Sequence, residues 1–316
     1  MKEKDKALFA TSDNLKNNQI YTVVVPIFDN EQAEWTVQIA LDLARAQRGR
    51  VVLVGLVQIP AETSLSTGAV AAQECRTTLE RLRTRFAGEI LQVKPRVRVD
   101  HKPWQSLAKL VAKERASLVV LPWRREGTKA LFGAKLDNLL RNLDCHIVVA
   151  SGDRSTPPRR ILMPIRGSQE MPMTLQVGLS LTKAVDGEIT LLYAVEDDES
   201  PVSQKVYKEL VRMSQGNPLI KGELQVKGDV TSAVMAYAGD YDLIILGVSD
   251  ASANGGLQLI GRVARQLRRA NVGPLLVVKT HRPPPVAQLA EWDQSIHRAY
   301  VRWSRKNLQL DRKSVV

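Results

Sequence analysis

Two cysteines in 316 residues, Cys75 and Cys145, are too few for a disulfide framework and form no CxxC pair, a usage that fits a reducing cytoplasm. The four histidines, His101, His146, His281 and His297, are scattered without metal-ligand spacing, so no metal site is expected. No apolar run approaches the roughly 20 residues that a membrane helix needs. The longest, over 51–57, is strand-sized. Residues 1–19 are polar, mixed in charge and without an apolar stretch; they read as a loose leader rather than a secretory signal. Catalytic signatures are missing as well. The chain has no GxSxG, no HExxH, no GxxxxGK[ST] phosphate loop, and neither Ser-Gly-Gly nor His-x-Gly-His. The expectation is a protein that is not an enzyme.

What the chain has in excess is positive charge, +12 in formal terms. That suits an acidic partner such as nucleic acid, anionic lipid or an acidic protein face, and it equally suits plain solubility. A nucleic-acid reading rests on this charge alone, since no recognised motif or aromatic platform accompanies it.

The chain also repeats itself. From Pro26 to Val57 and from Pro164 to Val195 the sequence aligns without a gap at a constant offset of 138. Identical pairs include Ile27/Ile165, Thr36/Thr174, Gln38/Gln176, Leu41/Leu179, Leu43/Leu181, Ala46/Ala184, Gly49/Gly187, Leu53/Leu191 and Val57/Val195. Solenoid repeats run about 20–50 residues, so this unit is a whole domain present twice. The length of the chain agrees, at roughly 150 residues per domain.

Short apolar runs alternate with helical spacings in both halves. Strands are expected at 21–27, 51–57, 92–99, 117–121 and 146–150, then at 161–165, 189–195, 223–226, 243–246 and 275–278. Helices are expected at 33–47, 71–86, 104–113 and 137–143, then at 173–185, 202–214, 231–238 and 257–269. Strands apolar on both faces belong in a parallel sheet covered by helices. Pro95 places the 92–99 strand at an edge. The polar stretch around Pro157-Pro158 is a linker. The predicted division is a leader at 1–19, a first domain at 20–152, a linker at 153–159, a second domain at 160–281, and a Pro-rich hinge with a basic tail at 282–316.

The VVPI and LMPI first strands, the first helix closed by Gly49 or Gly187, and the segments FGAKLDNLLRNLDCHIVVA and LIGRVARQLRRANVGPLLVVK carry a resemblance to the universal stress protein family over about residues 21–279. The resemblance implies an α/β fold: two tandem, doubly wound, five-stranded parallel-sheet domains. It also implies pairing of the two domains through their fifth strands as an internal pseudo-dimer; a homodimer beyond that stays open.

Family members that bind ATP carry G-x2-G-x9-G-[ST] after the fourth strand and an aspartate after the first. Glycine-freed N–H groups and a helix N-terminus cradle the phosphates. Here only fragments of that pattern stand. Gly247 matches the first glycine, Asp250 occupies the second, and Gly261 comes one residue late, followed by Arg262 instead of a hydroxyl residue. In the first half Pro122 and Arg125 replace the two glycines and Gly133 comes early; the aspartate position falls on Phe28 in the first half and on Arg166 in the second. Ordinary ATP binding is therefore not expected in either half. Two guanidiniums at strand ends can instead clasp a phosphate or carboxylate. The candidate anion or nucleotide site is Arg166, Gly167, Ser168, Gly247, Gly261 and Arg262. The other reading is that each arginine pairs with a local acid. A weaker candidate in the first half is the basic loop of Arg124, Arg125, Lys129 and Gly133, with Trp123 at its root either as a stacking face or as a cap on the core.

Beyond Pro283-Pro284-Pro285, the residues Leu289, Trp292, Ile296, Tyr300 and Trp303 recur at three- and four-residue steps, with arginines between them. That is a C-terminal basic amphipathic helix, suited to a membrane surface or a partner, or else folded back on its own chain. Three functions follow as expectations. The first is a non-enzymatic regulatory protein of the stress class that senses a small anion or nucleotide, with no other cofactor. The second is a cytosolic module of a membrane transporter, docked through the tail at the inner face of the membrane; the stretch LPWRREGTKALFG is similar to stress-protein domains attached to transporters. The third is a nucleic-acid-associated basic protein.

Overall fold

The computed structural model describes residues 20–27, 33–87, 93–123, 143–152, 156–165, 171–195, 216–248 and 261–280. In the first half these form β1 (Thr22–Ile27), α1 (Ala33–Ala46), β2 (Arg50–Gln58), α2 (Ala69–Arg85), β3 (Val93–Asp100), α3 (Pro103–Lys113), β4 (Leu118–Pro122) and β5 (His146–Ser151). The second half supplies β6 (Arg160–Pro164), α4 (Met171–Val185), β7 (Glu188–Val195), β8 (Ile220–Lys227), α5 (Val230–Tyr237), β9 (Leu243–Val248), α6 (Arg262–Arg269) and β10 (Leu275–Lys279). The helices expected at 137–143 and 202–214 and the C-terminal amphipathic helix lie outside the described residues, apart from Leu143. A 3-10 turn at Leu65–Gly68 was not signalled by periodicity; it is set by Ser64, whose hydroxyl accepts the Ser66 N–H.

All ten strands join one sheet in the order β3-β2-β1-β4-β5-β10-β9-β6-β7-β8. Every pairing is parallel except β5 with β10, which run antiparallel from Ser151 opposite Leu275 to Ile147 opposite Lys279. This is the fifth-strand edge through which the resemblance implies that domains pair. A central strand has both faces covered, and β1 accordingly is buried at every residue. The outer strands β3 and β8 are the polar ones. β8 alternates half-buried and exposed positions along IKGELQVK, the period of a strand with one covered face. Pro95 sits in β3, at the edge where a missing N–H is tolerated.

Helices α1, α2 and α4 cover one face of the sheet, and α3, α5 and α6 the other. Both apolar layers run through the β5–β10 seam, since each contains residues of both strands. Each buried Val or Leu contributes about 1.5–3 kcal/mol by leaving water, so the seam is held by core packing as well as by its ladder.

The repeat is structural down to single residues. After α1 and after α4 the chain turns through a left-handed residue, Arg48 (φ 50°) and Asp186 (φ 52°). Gly49 and Gly187 follow. A Cβ there would stand 2.3 Å from the Tyr21 carbonyl oxygen and 2.5 Å from that of Arg159, respectively. The same carbonyls accept the N–H of Arg50 at 2.8 Å and of Glu188 at 2.7 Å. Glycine is required at these turns because helix exit and strand entry share one backbone contact.

Candidate anion-binding strand ends

Ligands of open parallel sheets lie beyond the carboxyl ends of the strands, where strand order reverses. Here those points are between β1 and β4 and between β6 and β9. The two are equivalent, because Val23 faces Leu118 as Ile161 faces Leu243.

In the second half β9 ends at Gly247-Val248, and Gly247 is exposed. It has a packing reason of its own: a Cβ would stand 2.6 Å from Thr174 Oγ1, on the fully buried Thr174 of α4. α6 then begins over this end. The Cβ position of Gly261 is 3.9 Å from Val248 Cγ1, with nothing else close. Gly261 is the N-cap, extended at φ −56° and ψ 159°, and makes no side-chain cap; the first turn has no acid and opens on Arg262, which is exposed. The N-terminus of a helix carries about half a positive charge from its unbonded N–H groups. A guanidinium at the first position adds to that charge. The start of α6 is thus an electropositive end of backbone donors beside the switch point, able to hold a phosphate or carboxylate.

The first half is built differently at the same place. Pro122 stands where Gly247 stands, and Trp123 follows, only 7% exposed, within the apolar layer that α6 also enters. The Trp123 N–H donates to the Ala150 carbonyl at 2.6 Å, which continues the β4–β5 ladder. Above its ring, 4.6 Å from the centroid, lies the guanidinium of Arg268, in the last turn of α6. Trp123 is thus buried as a cap on the core, with an arginine of the same chain over its ring. The arginine comes from the other half of the chain and not from the local basic loop.

Of the predicted site residues, the structure brings Gly247, Gly261 and Arg262 to one strand end. Arg166, Gly167 and Ser168, the first-half loop residues Arg124, Arg125, Lys129 and Gly133, and the tail residues Trp292, Ile296, Tyr300 and Trp303 lie outside the described residues. Sequence reasoning missed Thr174 beneath Gly247, although the Thr36/Thr174 identity was the available signal. It also missed Arg268, for which sequence offered none. Both cysteines are free, and burial pushes the Cys145 thiol up to about 12, leaving it inert at neutral pH. Among the described residues no cluster fit to hold a metal ion occurs, and no helix is long and apolar enough to cross a membrane.

Comparison with known proteins agrees with this architecture. No curated protein matches the chain. Among solved structures, a universal stress protein from Archaeoglobus fulgidus DSM 4304 superposes with a TM-score of 0.60 at 14% identity, over 82% of this chain and 96% of that one. A functionally unknown protein from Pseudomonas aeruginosa PAO1 gives 0.54 at 15%, over 90% and 98%. The cytoplasmic domain of a prokaryotic cation chloride cotransporter gives 0.51 at 12%, over 83% and 96%. At these identities the likeness is one of fold. The model of the universal stress protein family matches residues 20–151, the whole first half with its five strands.

Proposed function

We propose that this protein is a regulatory member of the universal stress class, acting in the cytoplasm without chemistry of its own. Its second half takes a small anionic ligand, a nucleotide or a free phosphate compound, at the carboxyl end of β9. The observation that carries the reading is the start of α6: a glycine N-cap, an exposed arginine at the first position and no acid in the first turn, placed over the strand end. ATP held by the family's full glycine loop is not part of the reading, because Asp250 and Arg262 replace the residues that loop needs.

The test starts from untreated purified protein. Denaturation, extraction and mass spectrometry identify any nucleotide carried along, and calorimetry then titrates that compound, ATP, cyclic nucleotides and inorganic phosphate. One equivalent of an anion whose affinity falls about tenfold or more in Arg262→Ala, as expected for a lost charged hydrogen bond, supports the reading. An empty protein that binds none of them removes it.

A second reading has one observation in its favour, the likeness to the cytoplasmic domain of a cation chloride cotransporter. In it the chain is a detached module that docks on a membrane transporter through Trp292, Ile296, Tyr300 and Trp303. Here a chain ending at Thr280 keeps its melting temperature and loses association with the transporter. A large drop in melting temperature would instead make the tail part of the core.

A further inference from the structure

Away from the strand ends, a cleft of about 880 Å³ opens on the face of the sheet covered by α1, α2 and α4. One stripe of α1 forms its wall: Trp35, Gln38, Asp42 and Arg45, at the spacing that places side chains on one face of a helix. Phe86, just past α2, and Pro157-Pro158, between the two halves, add apolar surface. The cleft therefore exists only because the two halves are joined.

Its unusual feature is Asp42. The residue is 4% exposed, on a stripe that a helix packed on a sheet normally fills with apolar groups. Gln38 Nε2 donates to its Oδ1 at 3.0 Å, and Arg45 Nη1 donates to the same oxygen at 3.1 Å. Among the described residues nothing hydrogen-bonds Oδ2. A carboxylate has about four acceptor positions, so half of this one is unused in a nearly buried group. Burial outweighs both hydrogen bonds and pushes the carboxyl up to about 6. The internal repeat supplies a control: at the offset of 138 the corresponding residue of α4 is Ser180, also buried and uncharged. Packing at this position does not need a charge.

We infer that the cleft is a binding site for a ligand bearing a cationic nitrogen on a flat or apolar body, an amidinium or guanidinium compound, with its N–H groups on Asp42 Oδ2 and its body against Trp35, Phe86 and the two prolines. Carboxylate and aromatic wall together are the chemistry that selects such a cation. Other charged groups line the same opening. Glu34 pairs with Arg85 at 3.0 Å, Arg45 is held by Asp42, and Lys183 and Asp186 lie close in sequence at the end of α4. None of the residues proposed for the anion site lines this cleft, so the inference does not depend on that reading.

The experiment uses the full chain, with benzamidine and agmatine as probes and benzamide as the uncharged control, followed by amide NMR and calorimetry. The expected result is single-site binding of the cations and none of benzamide, with shifts concentrated on α1. Affinity should fall about tenfold or more in Asp42→Asn. It should fall again when wild type is taken from pH 7.5 to pH 5, through the range in which Asp42 gains its proton while the probes stay charged. Asp42→Ser, which copies the second half, keeps the result readable if the Asn variant folds poorly. Absence of binding by either probe, or binding of equal strength in both Asp42 variants, overturns the inference.

Discussion

At the carboxyl end of the fourth strand the two halves carry opposite solutions. The first has Pro122-Trp123, with the indole buried and the Arg268 guanidinium above it. The second has an exposed Gly247 with the start of α6 beside it. The two halves share strand order and register at these points, so the difference lies in the side chains placed there. The first-half end is filled by side chain and tied to the other half through Arg268, which makes it part of the seam. Among the described residues, the second-half end has an exposed glycine and the start of α6 with Arg262 exposed at its first position. α6 takes part in both, with its last turn on Trp123 and its first turn at Gly247-Val248.

The sharpest way to break the comparison is Trp123→Ala. Removing a buried tryptophan costs about 3–5 kcal/mol, and this one also anchors Arg268. Urea unfolding should show a loss near the top of that range. Val248→Ala, at the equivalent position, should lose clearly less. Equal losses would mean that the two strand ends are not differently built. A smaller but symmetric effect is expected at the shared turns. Gly49→Ala and Gly187→Ala each push a methyl into a backbone carbonyl at 2.3 and 2.5 Å, and each should cost about 3 kcal/mol by overpacking. A marked inequality between them would show that one half governs the stability of the shared sheet.

Much of this was legible in sequence, for physical reasons. Parallel strands buried on both faces read as unbroken apolar runs, so β1, β2, β4, β5 and their counterparts stand out. Pro95 announced an edge because a proline cannot serve a central ladder. The 138-residue offset doubled the evidence for each element. What stayed hidden depends on contacts across the seam. Arg268 lies far along the chain from Trp123, and no local pattern announces a pair created by closing β5 on β10. Asp42 is intermediate. Its place two turns after Trp35 on the buried stripe of α1 was readable as an acid among apolar positions, but only the folded cleft gives that anomaly a meaning.

Asp42 also divides the halves energetically, and its sign can be worked out. Its folded carboxyl sits at about 6 against an ordinary 3.8, so the native state holds the proton more tightly than the unfolded chain. Stability on this account is complete below about pH 4 and is lost as pH rises through 6. Two pH units correspond to about 3 kcal/mol. Allowing for the lost Arg45 pair, Asp42→Asn should stabilise the protein by about 2 kcal/mol at pH 7 and by nothing at pH 4. Ser180→Ala in the second half should show no such pH dependence. A destabilised Asn variant at pH 7 would mean that the carboxylate is retained for the fold and not held at its expense.

The smallest effect separates the two glycines at the candidate site. In sequence Gly247 matches the first glycine of the phosphate loop and Gly261 comes one residue late for the last, yet only Gly247 is sterically required, with Thr174 Oγ1 2.6 Å from its would-be Cβ. Gly247→Ala should cost about 1–2 kcal/mol by overpacking, and Thr174→Ala in the same chain should return most of it, a coupling that a double-mutant cycle measures. Gly261→Ala meets only Val248 at 3.9 Å, in a backbone conformation open to alanine, so its stability should stay within about 0.5 kcal/mol of wild type. If anion affinity then falls in Gly261→Ala without loss of stability, the glycine at the start of α6 is kept for the close approach of a ligand. If both quantities are unchanged, its place there is an inheritance of the repeat, and Arg262 with the helix end carries the site alone.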